Sequence, residues 1–474
     1  MKIQNLSPGA AAHLSYLKDS YSIERRSTVF SRAYRRLLAR RYNLLIPRTA
    51  SVLEVGCGAG DLLNLLHAEK KCGVDLSPNQ IARAKAAHPH LNVCEGIGET
   101  GPLPEGQYDF IILSDVLNEA ADVEMLLRLL HNHSHRGTRL IINIYNTLWR
   151  PILSLVRALG FSPANTASSW ISRQDVVNLA MLAEWECFKS FGCILCPVEV
   201  PIVTGFVNRW IAPLIPWLCL SIFLIARRIP VESIAPKSVS VVIPARNEAG
   251  NIAVALERMP RLAENTEIIF VEGNSKDETW NAICSLPDFW AHGKILKLRQ
   301  TGKGKGNAVI EGFRKANGEI VMILDADLTM PPEDLPKFVQ LLCSGRADFA
   351  NGVRLVYPMD EKAMQFANLC ANKGFGMIFS WLLGQPIKDT LCGTKVLWRS
   401  DYDRLDQGRA YFGDFDPFGD FDLLFGADKL NLKIVDVPIR YRERFYGETN
   451  INRWRHGVIL LRMVLFAARR LKFV

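Results

Sequence analysis

The central motif of the chain reads Glu319-Ile-Val-Met-Ile-Leu-Asp-Ala-Asp-Leu-Thr-Met-Pro-Pro-Glu-Asp334. The five apolar residues from Ile320 to Leu324 have the length and the branching of a buried strand, and the two prolines that follow favour the start of a helix. Asp325 and Asp327 come directly after the strand, at the edge where open α/β sheets bind their ligands. Two carboxylates this close repel each other unless a cation lies between them, and their oxygens suit Mg²⁺ or Mn²⁺. The motif therefore predicts a metal site that would neutralise a bound diphosphate.

The composition predicts a large folded protein with basic ends. The chain has 474 residues, 49% of them hydrophobic, and a formal net charge of +9, which fits two to four domains. Residues 1–50 carry ten Lys or Arg against two Asp or Glu, and residues 440–474 carry nine against two. Such ends favour phosphate-rich partners or an anionic membrane surface. We expect no nucleic acid, because aromatic residues do not interleave with the basic ones. The scattered cysteines and the lack of a signal-peptide pattern favour the cytoplasm.

One uncharged stretch, Trp210 to Ala226, raises the question of a membrane span. Its seventeen residues include Pro213 and Pro216, and the stretch is short for a transmembrane helix. We interpret it as a Pro-broken helix followed by a buried strand over Leu220–Ala226.

A strand, a glycine-rich turn and a helix are predicted in the N-terminal half, at Ser51-Val-Leu-Glu-Val-Gly-Cys-Gly-Ala-Gly-Asp61 and the helical pattern Leu62–Ala68. The three glycines allow close backbone approach, and the helix start favours a polar or anionic ligand group. Asp75 ends the next short strand, where nucleotide-binding folds place a ribose-binding acid.

These motifs resemble class I S-adenosylmethionine-dependent methyltransferases over about residues 15–228. The resemblance implies a Rossmann-like sheet and S-adenosylmethionine as cofactor. It also implies cofactor-binding roles for Glu54, Gly56, Gly58, Gly60, Asp75, Leu76 and Glu99. Among these, the glycines would line the methionine end, Asp75 would hold the ribose hydroxyls and Leu76 would pack on the adenine.

Two positions depart from that family. In Gly96-Ile-Gly-Glu99, Ile97 takes the place of an acid that binds the adenine amine, so Glu99 is the candidate substitute. Asn118 stands where many relatives carry a His as a base. The family needs no shared base, since proximity and alignment supply most of the acceleration.

In the C-terminal half, three further strands are predicted before the central motif, at Val239–Ile243, Glu267–Val271 and Ile295–Leu298. Polar residues crowd the ends of the first two strands, in Pro244-Ala-Arg-Asn-Glu248 and Glu272-Gly-Asn-Ser. A Gly/Lys loop, which includes Lys305, then precedes a helix and can cradle phosphate. Together these clusters predict a nucleotide-diphosphate pocket.

The pattern resembles family 2 glycosyltransferases with the GT-A fold over roughly residues 238–456, and within them the dolichyl- and polyprenyl-phosphate sugar transferases. The resemblance implies nucleotide-sugar-binding roles for Pro244, Arg246, Asn247, Glu248, Glu272 and Lys305, and metal-binding roles for Asp325 and Asp327. Asp389-Thr-Leu-Cys-Gly-Thr-Lys395 resembles a catalytic stretch of the dolichyl-phosphate glucosyltransferases. Arg444-Phe-Tyr-Gly-Glu-Thr-Asn450 resembles the loop that closes over the diphosphate and the lipid phosphate.

The identity of the group that accepts the sugar is the main ambiguity. A lipid phosphate is already ionised at neutral pH and needs no general base, whereas a sugar hydroxyl does. Asp420 and Asp422 lie in the region where hydroxyl-acceptor relatives place a catalytic carboxylate, but they could equally be N-caps of the helix Leu423–Lys429.

The last residues, Trp454 to Lys472, predict a basic amphipathic helix that either lies on an anionic membrane or packs on the preceding domain. We expect an α/β protein of two domains: a methyltransferase-like domain (1–229), a linker (230–237), a GT-A domain (238–452) and the C-terminal helix (453–474).

The predicted function is bifunctional. A sugar moves from a nucleoside diphosphate sugar to polyprenyl phosphate, and S-adenosylmethionine-dependent methylation serves the same glycan pathway. The alternative is a glycan hydroxyl acceptor, with the methyltransferase-like half as a non-catalytic docking or sensing module. We expect a cytoplasmic protein with a peripheral contact at the inner face of the membrane.

Overall fold

The computed structural model describes residues 8–22, 29–158, 170–230, 233–354, 356, 366–411, 419–442, 446 and 453–474. The backbone divides into two compact units, one that runs to Ile229 and one that begins at Pro230, with Phe473 grouped with the first. Each unit is built on one mixed α/β sheet.

The first unit contains a seven-stranded sheet. Its helices are α1 (Pro8–Ser22), α2 (Val29–Leu45), α3 (Asp61–Leu65), α4 (Pro78–Ala87), α5 (Val123–Leu129), α6 (Arg150–Ala158), α7 (Arg173–Leu182) and α8 (Val203–Phe206). Its strands are β1 (Ser51–Val55), β2 (Lys70–Asp75), β3 (Asn92–Glu95), β4 (Tyr108–Ser114), β5 (Ser134–Tyr145), β6 (Trp185–Cys193) and β7 (Ser221–Arg228). The strand order is β3-β2-β1-β4-β5-β7-β6, and β7 runs antiparallel to both of its neighbours.

The sheet is buried on both faces, which explains the unbroken apolar runs of its strands. Val52 packs in the core cluster that contains Leu38 and Tyr42 of α2, whereas the adjacent Leu53 packs in the cluster that contains Leu127 of α5. Because the chain leaves β1 toward β2 and later returns to β4 on its other side, the carboxyl ends of β1 and β4 form the topological switch point where such sheets bind ligands.

The uncharged stretch over residues 210–226 runs from the end of a broken helix into a strand, as predicted. α8 and the helical turn Val207–Ile211 end before Pro213, and β7 follows with a buried centre. In the described part of the chain, no helix is long and apolar enough to cross a membrane.

The second unit contains an eight-stranded sheet. Its helices are α9 (Ala249–Glu257), α10 (Thr279–Cys284), α11 (Lys305–Lys315), α12 (Leu335–Cys343), α13 (Phe366–Leu383), α14 (Arg399–Gln407), α15 (Asp420–Lys429) and α16 (Arg453–Leu471). Its strands are β8 (Ser238–Ala245), β9 (Asn265–Glu272), β10 (Phe289–Trp290), β11 (Gly293–Arg299), β12 (Ile320–Ile323), β13 (Phe349–Val353), β14 (Lys395–Trp398) and β15 (Ile434–Pro438). The strand order is β10-β11-β9-β8-β12-β14-β13-β15.

The central motif forms β12, as its apolar run predicts, and all four residues of the strand are buried. β12 runs parallel to β8, and β8 runs parallel to β9. The carboxyl ends of these strands therefore meet at one edge of the sheet. A 3₁₀ turn, Pro332–Asp334, leads from that edge into α12, so the two prolines do open a helix.

Candidate active sites

The loops after β8 and β9 are tied together at the edge of the second sheet. Asn247 Oδ1 accepts a hydrogen bond from the Lys276 amide at 2.8 Å, and the Asn247 amide donates to Ser275 Oγ at 3.1 Å. Asn247 has a left-handed φ of 57°, which Asn tolerates better than most residues. Arg246 lies beside Gly273, where a Cβ atom would be 3.4 Å from the Arg246 Cβ, so the two predicted nucleotide-binding loops are neighbours.

The two predicted glutamates are buried within these loops. Glu248 Oε2 accepts from Asn251 Nδ2 at 2.7 Å, and the Glu248 amide donates to Thr279 Oγ1 at 2.9 Å. Glu272 accepts a hydrogen bond from the Ser275 amide. Both carboxylates thus help to shape the loops that carry the predicted nucleotide-binding residues, which include Pro244 at the end of β8.

Lys305 and Asp325 form an ion pair at the start of α11. Lys305 is the first residue of this helix and follows Gly304, which has a φ of 86°. Its Nζ lies 2.7 Å from Asp325 Oδ1, and both side chains are about 28–29% exposed. Gly393 packs against the same pair, since a Cβ atom there would collide with the Asp325 carboxylate and the Lys305 ammonium group. The structure therefore brings the Asp389–Lys395 stretch to the Asp-x-Asp motif.

Asp327 is oriented by its own turn, because its Oδ1 accepts from the amide of Thr329 at 3.1 Å and from the Thr329 hydroxyl at 2.8 Å. The described residues contain no cluster of three or more His, Cys, Asp or Glu side chains that could hold a metal. Asp325 and Asp327 are nevertheless a suitable donor set for Mg²⁺ or Mn²⁺, since Mg²⁺ is usually bound by one or two carboxylates together with substrate phosphates.

Asp389 is completely buried and holds a loop rather than facing solvent. The Arg354 guanidinium donates to both of its oxygens, at 2.7 and 2.8 Å, and the amides of Arg354 and Leu391 donate to it as well. Burial alone would raise the pKa of Asp389, but the charge and hydrogen bonds of Arg354 hold it below its usual value. Asp389 therefore has the geometry of a positioning residue for the stretch that contains Gly393.

The start of α15 lies against the start of α11. Gly419 is the N-cap of α15, and a Cβ atom there would be 2.6 Å from the Gly306 Cα. The interpretation of Asp420 and Asp422 as N-caps is therefore wrong. Asp420 is the first residue of the helix, and its side chain lies outside the described atoms. Asp422 accepts a hydrogen bond from Arg409 Nη1 at 2.8 Å.

Arg444 lies outside the described residues. Its neighbour Tyr446 is described, and its ring lies over Gly250 at the start of α9, where a Cβ atom would be 2.8 Å from Tyr446 Cδ2.

The first unit contains a cavity of about 330 Å³ at the carboxyl ends of β1 and β4. Six of the seven predicted cofactor-binding residues line it: Glu54, Gly56, Gly58, Asp75, Leu76 and Glu99. Gly60 does not. It is the N-cap of α3, with a φ of 75°, and packs beside Leu91. Gly60 thus shapes the turn. It was expected to line the methionine end of the cofactor, but it lies outside the cavity wall.

The glycine turn and Asp75 are linked by hydrogen bonds. The Gly58 amide donates to Asp75 Oδ2 at 2.8 Å, and the Ser77 amide donates to Asp75 Oδ1 at 2.9 Å. Burial raises the pKa of Asp75, and these two hydrogen bonds oppose the rise.

The two buried glutamates of the cavity differ in their hydrogen bonding. Glu54 is 2% exposed, its Oε2 has no hydrogen-bond partner, and burial raises its pKa to about 8. Glu99 Oε1 accepts from the Ala121 amide at 2.9 Å, and burial raises its pKa as well. S-adenosylmethionine carries a sulfonium and an ammonium cation, so an unsatisfied buried carboxylate in the wall is consistent with this cofactor.

Sequence reasoning missed two parts of the cavity. Leu14, Leu17 and Tyr21 of α1 line it, and Tyr21 donates to Glu119 Oε2 at 2.6 Å. The helical spacing of these three residues was the available signal. Asp115, directly after β4, also lines the cavity together with two tyrosines.

Sequence comparison assigns both units. Residues 23–189 match the profile of a methyltransferase domain, and residues 240–405 match that of glycosyl transferase family 2. By these matches, the chain carries a methyltransferase domain followed by a family 2 glycosyltransferase domain. The two sheets and the two profiles confirm the predicted two-domain α/β fold class.

Two curated relatives match the C-terminal half. The dolichol-phosphate mannosyltransferase of Pyrococcus furiosus is 30% identical over 220 residues, which are 45% of this chain and 59% of the relative. The low-salt glycan biosynthesis hexosyltransferase Agl6 of Haloferax volcanii is 29% identical over 242 residues, 48% of this chain and 54% of the relative. The chain thus spans a little over half the length of these relatives.

Solved structures resemble each half. An S-adenosylmethionine-dependent methyltransferase of Thermotoga maritima is 20% identical, covers 42% of this chain and 91% of its own, and has a TM-score of 0.34. Glucosyl-3-phosphoglycerate synthase of Mycobacterium tuberculosis, solved with Mn²⁺, uridine-diphosphate-glucose and glycerol 3-phosphate, is 18% identical and covers 50% of this chain and 80% of its own, with a TM-score of 0.36.

Proposed function

We propose that the second unit is an inverting glycosyltransferase that moves a sugar from a nucleoside diphosphate sugar to polyprenyl phosphate, with Mg²⁺ or Mn²⁺. The observation that carries the proposal is the contact of Lys305, Asp325 and Gly393 at the start of α11, beside three converging strand ends. This edge offers a cation and a helix N-terminus to a diphosphate and carboxylates to a metal. The similarity to a dolichol-phosphate mannosyltransferase supports a lipid phosphate as acceptor.

Different residues of the pocket then bind the nucleoside, the diphosphate and the metal. The nucleoside is bound by Pro244, Arg246, Asn247, Glu248 and Glu272. Lys305 and the first amides of α11 receive the diphosphate, because charge and helix dipole both favour an anion there. A bound Mg²⁺ or Mn²⁺, held by Asp325 and Asp327, would supply further positive charge to the leaving diphosphate.

The lipid phosphate needs no general base, because it is already ionised at neutral pH. Its oxygen attacks the anomeric carbon as the bond to the diphosphate breaks, which inverts the configuration. We assign binding of the lipid phosphate to Arg444, whose guanidinium suits phosphate geometry. The contact of Tyr446 with Gly250 supports this, since it puts a residue of the same loop beside the β8–α9 turn.

A glycan hydroxyl acceptor is the second candidate, and the packing of Gly419 on Gly306 favours it. That contact puts the first residue of α15, Asp420, next to the Gly/Lys loop. Asp422 is the natural control because it pairs with Arg409. Loss of turnover in Asp420→Asn, with donor binding and Asp422→Asn turnover intact, would favour the hydroxyl acceptor.

The deciding experiment measures release of nucleoside diphosphate from a panel of nucleotide sugars with Mn²⁺ and short-chain polyprenyl phosphate. We expect release that requires both the lipid and Asp327, tested with Asp327→Asn. Asp403→Asn is the matched control, since Asp403 pairs with Arg399 on the surface. Donor binding without lipid-dependent release would contradict the lipid acceptor.

For the first unit we propose S-adenosylmethionine-dependent methylation of a sugar or glycolipid in the same pathway. The support is the cavity, whose wall holds Asp75 and the unsatisfied carboxylate of Glu54. Calorimetric titration with S-adenosylmethionine tests it. No binding at millimolar concentration would favour the docking or sensing alternative.

We further propose a peripheral membrane contact at the inner face of the membrane through α16. This helix exposes Val458, Leu461 and Leu465 along one side, each more than half exposed, with Arg462 and Arg469 nearby. Exposed apolar side chains beside arginines fit an anionic bilayer surface.

A further inference from the structure

The cavity of the first unit contains a carboxylate that the cofactor motifs do not explain. Asp115 follows β4 and lines the same cavity as Gly56 and Asp75. Its neighbour Val116 covers the glycine turn, because a Cβ atom on Gly56 would lie 2.6 Å from Val116 Cγ2. Asp115 therefore lies beside the turn on the β4 side of the switch point.

A buried polar chain fixes this carboxylate. Asn143 Nδ2 donates to Asp115 Oδ1 at 2.8 Å, and Tyr42 donates to Asn143 Oδ1 at 2.6 Å. Tyr34 approaches the same Oδ1 at 3.5 Å. Asp115 also has a φ of 56°, a left-handed conformation that a non-glycine residue rarely adopts. Such strain at a ligand cavity often accompanies function, since the surroundings hold the side chain in place.

The cavity wall near Asp115 is aromatic as well as acidic. Tyr34 and Tyr145 both line it, and their rings are stacked with centroids 5.8 Å apart. This flat wall beside a fixed carboxylate suits a small hydroxyl compound with one apolar face.

We propose that Asp115 is the general base that removes the proton from an acceptor hydroxyl during methyl transfer, which rests on the methyltransferase activity proposed above. The acceptor oxygen forms its bond to the methyl group as the methyl–sulfur bond breaks, and the proton moves to Asp115 Oδ2. The products are a methyl ether, a neutral thioether and a protonated Asp115.

The electrostatic surroundings suit this role. Burial, more than any neighbouring charge, raises the pKa of Asp115 to about 7. This value already includes a further upward contribution from Glu119 and the opposing effects of Arg35, Asn143 and the Tyr34 hydroxyl. A base whose pKa lies near the operating pH transfers protons efficiently.

The test uses the full-length protein with tritiated S-adenosylmethionine, and a panel of free hexoses and a host lipid extract as acceptors. Asp115→Asn should bind S-adenosylmethionine within about threefold of wild type but lose methyl transfer by about 100-fold or more. The wild-type rate should rise through an apparent pKa near 7, and the residual rate of the variant should not. Glu124→Gln is the matched control, since Glu124 pairs with Arg128 on α5 and is not among the cavity-lining residues.

Three outcomes would overturn the inference. The variant could transfer methyl groups at the wild-type rate, it could lose cofactor binding together with activity, or the wild type could bind the cofactor and methylate none of the acceptors. A wild type that binds no S-adenosylmethionine would instead remove the proposed methyltransferase function, and the inference with it.

A second inference rests on an exposed apolar segment, residues 198–218, between β6 and β7. Its large apolar side chains that remain exposed are Val198, Val200, Ile202, Val203, Phe206, Trp210, Leu214, Trp217 and Leu218. Ile202 is 90% exposed and has a φ of 65°, a true outlier for a β-branched residue. A dense run of exposed apolar side chains is the kind of surface that serves as an interaction site, and exposed tryptophans are typical of membrane interfaces.

The charge beside the segment fits an anionic lipid bilayer as its partner. α2 is tied to the segment by the ion pair of Arg36 with Glu199. Its exposed arginines Arg32, Arg36 and Arg40 are spaced by four residues, so they share one face, and the helix contains no Asp or Glu. We propose that the 198–218 segment inserts into the bilayer interface while α2 attracts the anionic headgroups.

Co-sedimentation of the full-length protein with vesicles tests this. The vesicles contain phosphatidylcholine with or without about 30% phosphatidylserine, and no polyprenyl phosphate, so the result is independent of glycosyl transfer. We expect Trp210→Ser with Trp217→Ser to weaken binding by about tenfold or more. The control is Met181→Ser, which removes an exposed apolar side chain from α7. Unchanged binding of the double variant, or a wild-type dimer in solution that the double variant abolishes, would overturn the inference.

Discussion

Replacing Arg354 by Met tests the buried ion pair that holds the Gly393 stretch. The change removes both guanidinium hydrogen bonds from Asp389, which is 0% exposed, and leaves the amides of Arg354 and Leu391 as its hydrogen-bond donors among the described residues. Removing one partner of a buried pair costs about 3–5 kcal/mol. For a unit of this size, that corresponds to a fall in melting temperature of about 6–20 °C.

The pH dependence separates loss of charge compensation from loss of packing. In the wild type the pKa of Asp389 is depressed, so the pair stabilises the folded state above the unfolded pKa and this stabilisation is lost as pH falls. In the variant the guanidinium no longer opposes burial, and the two amides and the charge of Lys395 oppose it less, so the pKa rises and protonation relieves part of the penalty at low pH. The difference in melting temperature between variant and wild type should therefore be smaller at pH 5 than at pH 7.5.

The assay is scanning calorimetry, with the transition of the second unit followed at both pH values. Arg314→Met is the control, because Arg314 forms a similar two-oxygen pair with Asp406 while its side chain is 58% exposed. The Arg314→Met change should lower the unfolding free energy by less than about 1 kcal/mol. Adding Asp389→Leu to Arg354→Met should restore part of the loss. The reasoning would be refuted if Arg354→Met lowered the melting temperature equally at both pH values, or by no more than Arg314→Met does.

Three other changes test the two sites. Gly393→Ala should reduce nucleoside diphosphate release by about 100-fold without unfolding, since its methyl group meets Asp325 and Lys305, and circular dichroism checks the fold. Lys305→Ala should weaken nucleoside diphosphate binding by about 10- to 100-fold, measured by calorimetry, because a charged hydrogen bond is lost. The unfolding free energy of the wild type should fall between pH 6 and 9, and Glu54→Gln should make this fall smaller, as measured by unfolding in urea. The folded-state pKa of Glu54 is raised to about 8, so its stabilising proton is lost as pH rises through that value.

Local patterns predicted the strands of both sheets well. The run from Ile320 to Leu324 is apolar at every position because β12 is buried on both faces, and this pattern is visible in the sequence itself. The end of α3 was less predictable. The apolar pattern continued to Ala68, but the helix stops at Leu65 and the chain turns toward β2.

The roles of individual side chains depended on distant partners. Nothing near Asp389 in the sequence shows that Arg354 neutralises it, and nothing near Asp422 shows its bond to Arg409. Gly60 shares its motif with Gly56 and Gly58 but faces Leu91, because the turn rotates it out of the cavity wall. Motif spacing fixes which residues are close along the chain, whereas these contacts depend on how the sheet brings separate loops together.

The Lys305–Asp325 pair bears on the proposal that this pocket holds both a diphosphate anion and a metal cation. The two side chains neutralise each other across 2.7 Å, and both are shielded from much of the solvent. Lys305 would pair with the diphosphate and Asp325 with the metal of a bound metal–diphosphate complex, so neither charge would be left uncompensated. A free diphosphate would compete with Asp325 for Lys305 and leave the carboxylate unpaired. For the glycosyl transfer proposed above, this geometry favours the metal complex over either component alone, and the missing side chain of Gly393 leaves the pair undisturbed.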